Sequence, residues 1–315
     1  MNPVQKMSIE VIIPTYKPSD EFEKVLDILD KQSLPPETVQ IVNTEEQFWN
    51  TAWDLRYPRL LLHHIKRSDF DHGGTRKEAA EKSGADILVF MTQDAVPADK
   101  NLIRELVRPI LEDPSVGASY ARQLPKSDCR DIERYYRYFS YPKVDDLRQE
   151  SDKEKLGIRT YFCSDVCAAY RKSAYEAAGG FPPRAIFNED MVCVARMLQK
   201  GYKVAYNPRA KVYHSHNYSC MEQLRRNFDL GVSHVVFSDV FGDLHAEGEG
   251  IAMVFANARH QLKRFRFLSV IYLFAQSFFK YAGYRLGRSY QKLPRWMIHA
   301  CTMNPGYWKE EDLTE

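Results

Sequence analysis

The sequence predicts an α/β fold: a mixed, mostly parallel sheet flanked by helices, with a C-terminal helical extension. Three observations carry this. Between residues 9 and 91, short β-branched runs alternate with segments of helical spacing, the order that builds a parallel sheet covered on both faces. The 315 residues are 44% hydrophobic with a net charge of +2, which supports a large core and excludes a disordered chain. After residue 220 the strand pattern stops and helical spacing takes over. The expected organisation is a domain over 1–220 and a basic, aromatic helical extension over 221–315.

Taken in order, residues 9–13 form a β-branched run closed by Pro14-Thr15-Tyr16, a buried strand running into a loop. Phe22, Val25, Leu26, Ile28 and Leu29 share one helical face before Pro35-Pro36. Strands are predicted at 39–42, from Leu60, and at 87–91, with a helix over 75–83 closed by Gly84. Further helices are predicted over 101–111, 173–178 and 191–200, and strands over 166–170, 203–206 and 211–213. The five aromatics of 132–141 and the charged run 145–155 read as a flexible or acceptor-side insertion. Ligands of such sheets lie beyond the carboxyl ends of the strands. That rule places Thr15-Tyr16, Asn43-Thr44 and Thr92-Gln93-Asp94 on one rim.

Composition removes other classes. Gly (15), Pro (16) and Cys (6) are too few for a collagen-like or disulfide-stapled chain. No C-x-x-C pair exists, and His214-x-His216 with Cys163 and Cys167 lacks structural-zinc spacing, so inert reduced thiols are expected. No run reaches the roughly 18 apolar residues of a membrane span. The first eight residues lack an apolar signal core, so a cytoplasmic location is expected.

Charge is uneven. Residues 250–308 hold no Asp or Glu but nine Lys and Arg, around a greasy segment at 268–279. Two readings stand: a membrane-surface element facing anionic lipid, or a helix packed on the core with a solvated basic face. No nucleic-acid recognition module is visible, and nucleic acid is not an expected partner.

Four segments carry chemistry. Thr92-x-Asp94 puts a carboxylate at a strand end, where it can hold Mg²⁺ or Mn²⁺ or simply cap a turn. In Asp71-His-Gly-Gly-Thr-Arg76, two glycines ahead of a helix allow close ligand approach, and Arg76 suits phosphate; otherwise this is a tight turn capped by Thr75. Glu189-Asp190 opens a helix, and one of the two acids can deprotonate a hydroxyl; Asp190 is the expected one. His214-x-His216 on a strand would place both imidazoles on one face, where the pair can supply a neutral nitrogen ligand to the same metal or simply be satisfied polar groups.

Together these words resemble a family 2 glycosyltransferase of GT-A (Rossmann-like) fold. The matching words are Val11-Ile-Ile-Pro-Thr-Tyr16, His72-Gly-Gly-Thr-Arg76, Thr92-Gln-Asp94, the segment from Ala168 to Phe181, Asn188-Glu-Asp190, and His214 ahead of Ser219. They span residues 8 to 220 in order. Combining His-Gly-Gly-Thr-Arg with Thr-Gln-Asp-Ala-Val-Pro is similar to bacterial rhamnosyltransferases that build surface polysaccharide from dTDP-rhamnose.

The resemblance implies an inverting enzyme, and a role for each matched residue. Pro14, Thr15, Tyr16 and Gln93 would line the nucleotide-sugar site, with Arg76 near base or phosphate. Asp94 would hold Mg²⁺ or Mn²⁺, joined by His214 with His216 competing, and Asp190 would be the base, with Glu189 beside it. Two departures stand out. Asn43-Thr44-Glu45 replaces the acids that read the base, leaving Asn43 or Glu45 to substitute. Thr92 replaces the first acid of the D-x-D motif. Implied partners are a nucleotide sugar and a lipid-linked or growing glycan, met at the inner face of the membrane. A second reading, a non-catalytic nucleotide-sugar-binding or scaffold subunit, rests on the acid missing at position 92.

Overall fold

The computed structural model describes residues 7–242 and 247–308. Residues 1–6 and 309–315, at the two ends of the expected segments, lie outside them.

The chain opens with β1 (Ile9–Tyr16), α1 (Asp20–Asp30), β2 (Thr38–Thr44), α2 (Ala52–Arg56), β3 (Leu60–Ile65), α3 (His72–Lys82) and β4 (Ile87–Met91). Next come β5 (Val96–Pro97), α4 (Leu102–Glu112), β6 (Val116–Leu124), α5 (Asp131–Ser140), β7 (Asp146–Arg148), α6 (Lys153–Leu156), β8 (Cys167–Arg171), α7 (Lys172–Ala177), α8 (Glu189–Gln199) and β9 (Lys203–Tyr213). Four more helices, α9 (Cys220–Val236), α10 (Ser238–Phe241), α11 (Glu247–Leu262) and α12 (Phe267–Arg288), precede α13 (Arg295–Cys301). The sheet order is β3-β2-β1-β4-β8-β6-β9-β5, with β7 pairing β9. Strands β1 to β4 run parallel, as do β6 and β9, while β8 is antiparallel to both β4 and β6.

Alternation along the strands divides the core between two faces. Ile12, Val42, Leu88 and Phe90 pack on one side, and Val11, Ile13, Ile41 and Val89 on the other. Because β1, β2 and β4 are parallel, their carboxyl ends share one rim. That rim positions the site.

Four local expectations need correction. Helix α3 begins at His72, so the glycines lie inside it rather than in a turn before it. Asp71 is its N-cap, accepting from Gly74 N at 2.6 Å, while Thr75 accepts from Asp71 N. Gly73 lacks a Cβ because the Pro182 carbonyl occupies that space, so the close approach is to backbone and not to a ligand. Residues 132–155 are ordered: α5 buries Ile132 and Tyr136, and β7 extends the sheet. The two predicted strands over 203–213 are one strand, β9, with a register shift near Pro208. His214 and His216 therefore lie past the strand end, where alternation no longer applies.

Candidate active site

Met91 ends β4, and Thr92-Gln93-Asp94 turns outward at the rim. Gln93 is spent on the fold: its oxygen accepts from Tyr16 N at 2.8 Å and its amide donates to Tyr16 O at 3.0 Å, stitching the β1 and β4 loops. Asp94 faces a cleft of about 720 Å³. Burial opposes ionisation of this carboxyl, but His214, His216, the Thr92 hydroxyl and Lys126 outweigh it and hold the pKa below the usual value.

The two imidazoles meet Asp94 directly. Nε2 of His214 lies 3.5 Å and Nε2 of His216 3.4 Å from Asp94 Oδ2. Burial drives the His214 pKa down to about 3 and lowers that of His216, so both rings are neutral at physiological pH. The His214 tautomer follows from its neighbours. Gln123 Oε1 accepts from the Arg137 guanidinium, which can only donate, and also lies 3.0 Å from His214 Nδ1. That Nδ1 must therefore carry the proton, leaving a lone pair on Nε2 aimed at Asp94 and His216. Two neutral nitrogens and a carboxylate, all within 4.8 Å of one another, fit a divalent cation.

Across the cleft, Asn188 takes a left-handed φ of 64° and starts α8, so Glu189 and Asp190 fall in its first turn. Their side chains diverge. Glu189 pairs with Arg76 at 3.4 Å, both nearly buried, and Arg76 also donates to His72 O. Arg76 thus enters the cleft as half of an ion pair. Asp190 accepts from Asp165 N at 3.1 Å and from its neighbour Met191 N at 2.7 Å. Burial, reinforced by Glu189 and opposed by those two amides and Arg76, lifts its pKa to about 7. Asp165 is buried behind it, accepting from Tyr170 OH at 2.7 Å, and burial with the Asp190 charge pushes its pKa well up. The structure thus brings Asp94, His214, His216, Arg76, Glu189 and Asp190 into one cleft.

The remaining donor-side residues sit apart from that cavity. Pro14, Thr15 and Asn43 are buried. Asn43 accepts from Thr15 Oγ1 at 3.0 Å and faces Glu45 O and His64, so its side chain is committed to neighbouring strands and loops. Glu45, at φ 66°, accepts from Arg67 N. Tyr16 meets Phe48 edge-on at 5.6 Å, with Lys17 and Arg67 over its ring.

The helical extension walls the cleft. Arg226 and Asp229 of α9, Met253 of α11, Lys280 of α12, and Met303 and Asn304 line it. Asp229 accepts from Thr302 Oγ1 at 2.6 Å, Met303 N and Asn304 Nδ2, and Asn304 Oδ1 reaches His72 at 3.3 Å. Of the two readings of the basic segment, the structure bears on core packing: α12 packs on α9 through Gly283 and Gly287, and its other face exposes Phe267, Ile271, Phe274, Phe278 and Tyr281. Among the described residues no helix is long and apolar enough to cross a membrane.

Sequence reasoning missed Gln123, Arg137, Asp165, Arg226 and Lys280. Asp165, an acid opening the apolar run 166–170, was the one detectable signal.

Comparison with known proteins bears on the family and the fold. The profile of glycosyl transferase family 2 matches residues 10–179. The chain is 38% identical over 306 residues to the O-antigen chain rhamnosyltransferase RfbN of Salmonella typhimurium, and 35% identical over 304 residues to the O-antigen chain rhamnosyltransferase WbaN of Salmonella anatum. Each alignment covers 96% of both chains. Its fold is similar to that of the mannosyltransferase PcManGT of Pyrobaculum calidifontis, with a TM-score of 0.56 at 18% identity, covering 91% of this chain and 74% of that one. It is also similar to S. aureus TarS 1-349, with a TM-score of 0.51 at 13% identity, covering 91% and 92%.

Proposed function

The chain belongs to glycosyl transferase family 2, and we propose that it moves L-rhamnose from dTDP-rhamnose, with inversion, onto a hydroxyl of a lipid-linked or growing cell-surface polysaccharide. The donor is inferred from end-to-end likeness to two O-antigen rhamnosyltransferases. The single observation that carries the chemistry is that Asp190 and the Asp94–His214–His216 cluster face the same cleft.

Asp190 is the base. It accepts the acceptor hydroxyl proton while the oxygen bonds to the anomeric carbon, and the bond to the diphosphate breaks with its electron pair going to the leaving phosphate. A pKa of about 7 suits proton transfer at physiological pH. The two amides on its carboxylate hold both oxygens in place. Glu189 fixes Arg76, whose guanidinium orients the α8 start against the His72 carbonyl.

Asp94, His214 and His216 would hold the divalent ion, which when bound neutralises charge on the leaving diphosphate. Two imidazole nitrogens favour Mn²⁺ over Mg²⁺, which prefers oxygen ligands and bound water. The two histidines also offset the acid absent at position 92. An intact Asp190 with a raised pKa supports an enzyme over a scaffold subunit. The exposed stripe on α12, beside nine Lys and Arg and no acid across 250–308, supports peripheral contact with anionic lipid at the inner membrane face.

The test is a thermal-shift panel of dTDP-, UDP- and GDP-sugars with and without Mn²⁺, since a ligand of the native state raises the melting point by mass action. Stabilisation by dTDP-rhamnose, enhanced by Mn²⁺, is expected. A larger shift with a UDP- or GDP-sugar contradicts the donor assignment.

A further inference from the structure

A second, smaller cavity of about 260 Å³ opens beside the cleft. It lies between the start of α5, the segment after β9, the first turn of α9 and the first half of α12. It shares His216, Tyr218 and Gln223 with the cleft that holds Asp190. Part of the common wall is a ring stack, His216 on Tyr218 at 5.0 Å and 24°. No step of the transfer described above uses this space.

Its lining is rich in amide and tyrosine. Gln223 is 7% exposed, and its side-chain amide makes no hydrogen bond among the described residues. Gln276 is 8% exposed; its Nε2 donates to Tyr218 O at 2.8 Å, and its Oε1 accepts from nothing among the described residues. Buried amides are normally partnered, so two with spare capacity on one small cavity mark where the hydroxyls of a ligand bond. Tyr218 and Tyr272 add ring surface. The charges agree. Asp131 is paired with Arg266 and Glu133 with Arg137, and the one lining Lys or Arg, Arg130, is exposed. Two carboxylates against a single exposed cation disfavour a phosphate. Amides for hydroxyls, aromatic faces for ring C–H groups, and a volume below the roughly 300–1,000 Å³ of drug-sized pockets fit one sugar ring.

Strands β1 to β4, whose ends form the donor rim, contribute none of these residues. Gln223, Tyr272 and Gln276 also lie beyond the 10–179 match to the family profile. The shared part of the chain carries the donor side, and the part outside it is free to tell acceptors apart. We propose that this cavity is a subsite for one neutral sugar ring of the acceptor glycan, held by Gln223 and Gln276 against Tyr218 and Tyr272. Its being the acceptor's ring rests on the glycosyl-transfer reading; the binding of a neutral sugar does not. Because both cavities border Gln223, a glycan seated here continues past that residue into the cleft of Asp190, and the subsite selects among acceptors.

The experiment is saturation-transfer NMR on the full chain with the methyl glycosides of D-galactose, D-glucose, D-mannose and L-rhamnose. Each is measured with and without saturating dTDP and Mn²⁺, and with inorganic phosphate as an anionic competitor. At least one glycoside should bind with dTDP and Mn²⁺ present, and phosphate should not displace it. Gln223→Leu and Tyr272→Ala should each weaken it about tenfold or more while dTDP affinity holds. Because no protein group bonds the Gln223 amide, Gln223→Leu should keep the wild-type melting temperature; a clear fall would assign Gln223 to the fold and overturn the proposal. No binding by any glycoside, unchanged affinity in both variants, or displacement by phosphate overturns the subsite. Loss of the glycoside on adding dTDP-rhamnose, where dTDP alone leaves it bound, gives the cavity to the donor sugar and overturns the acceptor assignment. Gln223-dependent glycoside binding in a protein that ignores dTDP keeps the sugar subsite and sinks the rhamnosyl donor instead.

Discussion

Nε2 of His214 and Nε2 of His216 face each other across 3.0 Å, each within 3.5 Å of the same Asp94 oxygen. With both rings neutral and the His214 proton committed to Gln123, the arrangement is a ligand set poised on one point. Asp94→Asn, His214→Ala and His216→Ala should each weaken Mn²⁺-dependent dTDP binding by about tenfold or more. Mg²⁺ should substitute poorly in wild type. Titration with each ion checks both points, and a Mn²⁺ dependence in the three variants equal to that of wild type would count against the cluster.

The acid limb of the rate profile should fall near pH 7, because Asp190 must be ionised to accept a proton and its pKa is about 7. Stability runs the other way. A carboxyl whose pKa is raised in the folded state favours folding at acid pH, and that contribution is lost as pH rises through about 7. Asp190→Asn should therefore raise the melting temperature by a few degrees at pH 8, and by less at pH 5. A lower melting temperature at pH 8 would remove the buried-charge argument.

Helices α9 and α12 touch through glycine: a Cβ at Gly283 would press into the Leu224 carbonyl, and one at Gly287 into the Phe228 carbonyl. Gly287→Ala should cost about 1–3 kcal/mol and spread the wall that carries Arg226 and Lys280. Thermal melts should show the loss; an unchanged melting temperature would mean that the helices separate freely.

The α12 stripe of Phe267, Ile271, Phe274, Phe278 and Tyr281 repeats every four and three residues, and Phe255 of α11 joins it at Phe274, ring to ring at 6.1 Å. Flotation with anionic vesicles should recover wild type and lose most of a Phe274→Glu, Phe278→Glu double variant. Equal recovery of both would remove membrane docking.

Much of this was legible in the chain. Ile9, Val39 and Ile87 open β-branched or apolar runs that became strands, and periodic Phe22-Val25-Leu26-Leu29 became the buried face of α1. What failed depended on contacts distant in sequence. The glycines of His72-Gly-Gly lie inside α3 because Asp71 caps it first, and Pro182 explains Gly73 from more than a hundred residues away. Asp165 and Lys280 joined the cleft only through the packing of α8 and α12. The histidine pair was found for an imperfect reason: the two rings converge in a loop, not on a strand face.

The central claim is that Asp190 deprotonates the acceptor beside a donor held at Asp94. It is tested most directly by Asp190→Asn, measuring transfer from dTDP-rhamnose alongside dTDP affinity in Mn²⁺. The account predicts dTDP affinity near that of wild type with transfer reduced about 10²-fold or more. Transfer at close to the wild-type rate would contradict it.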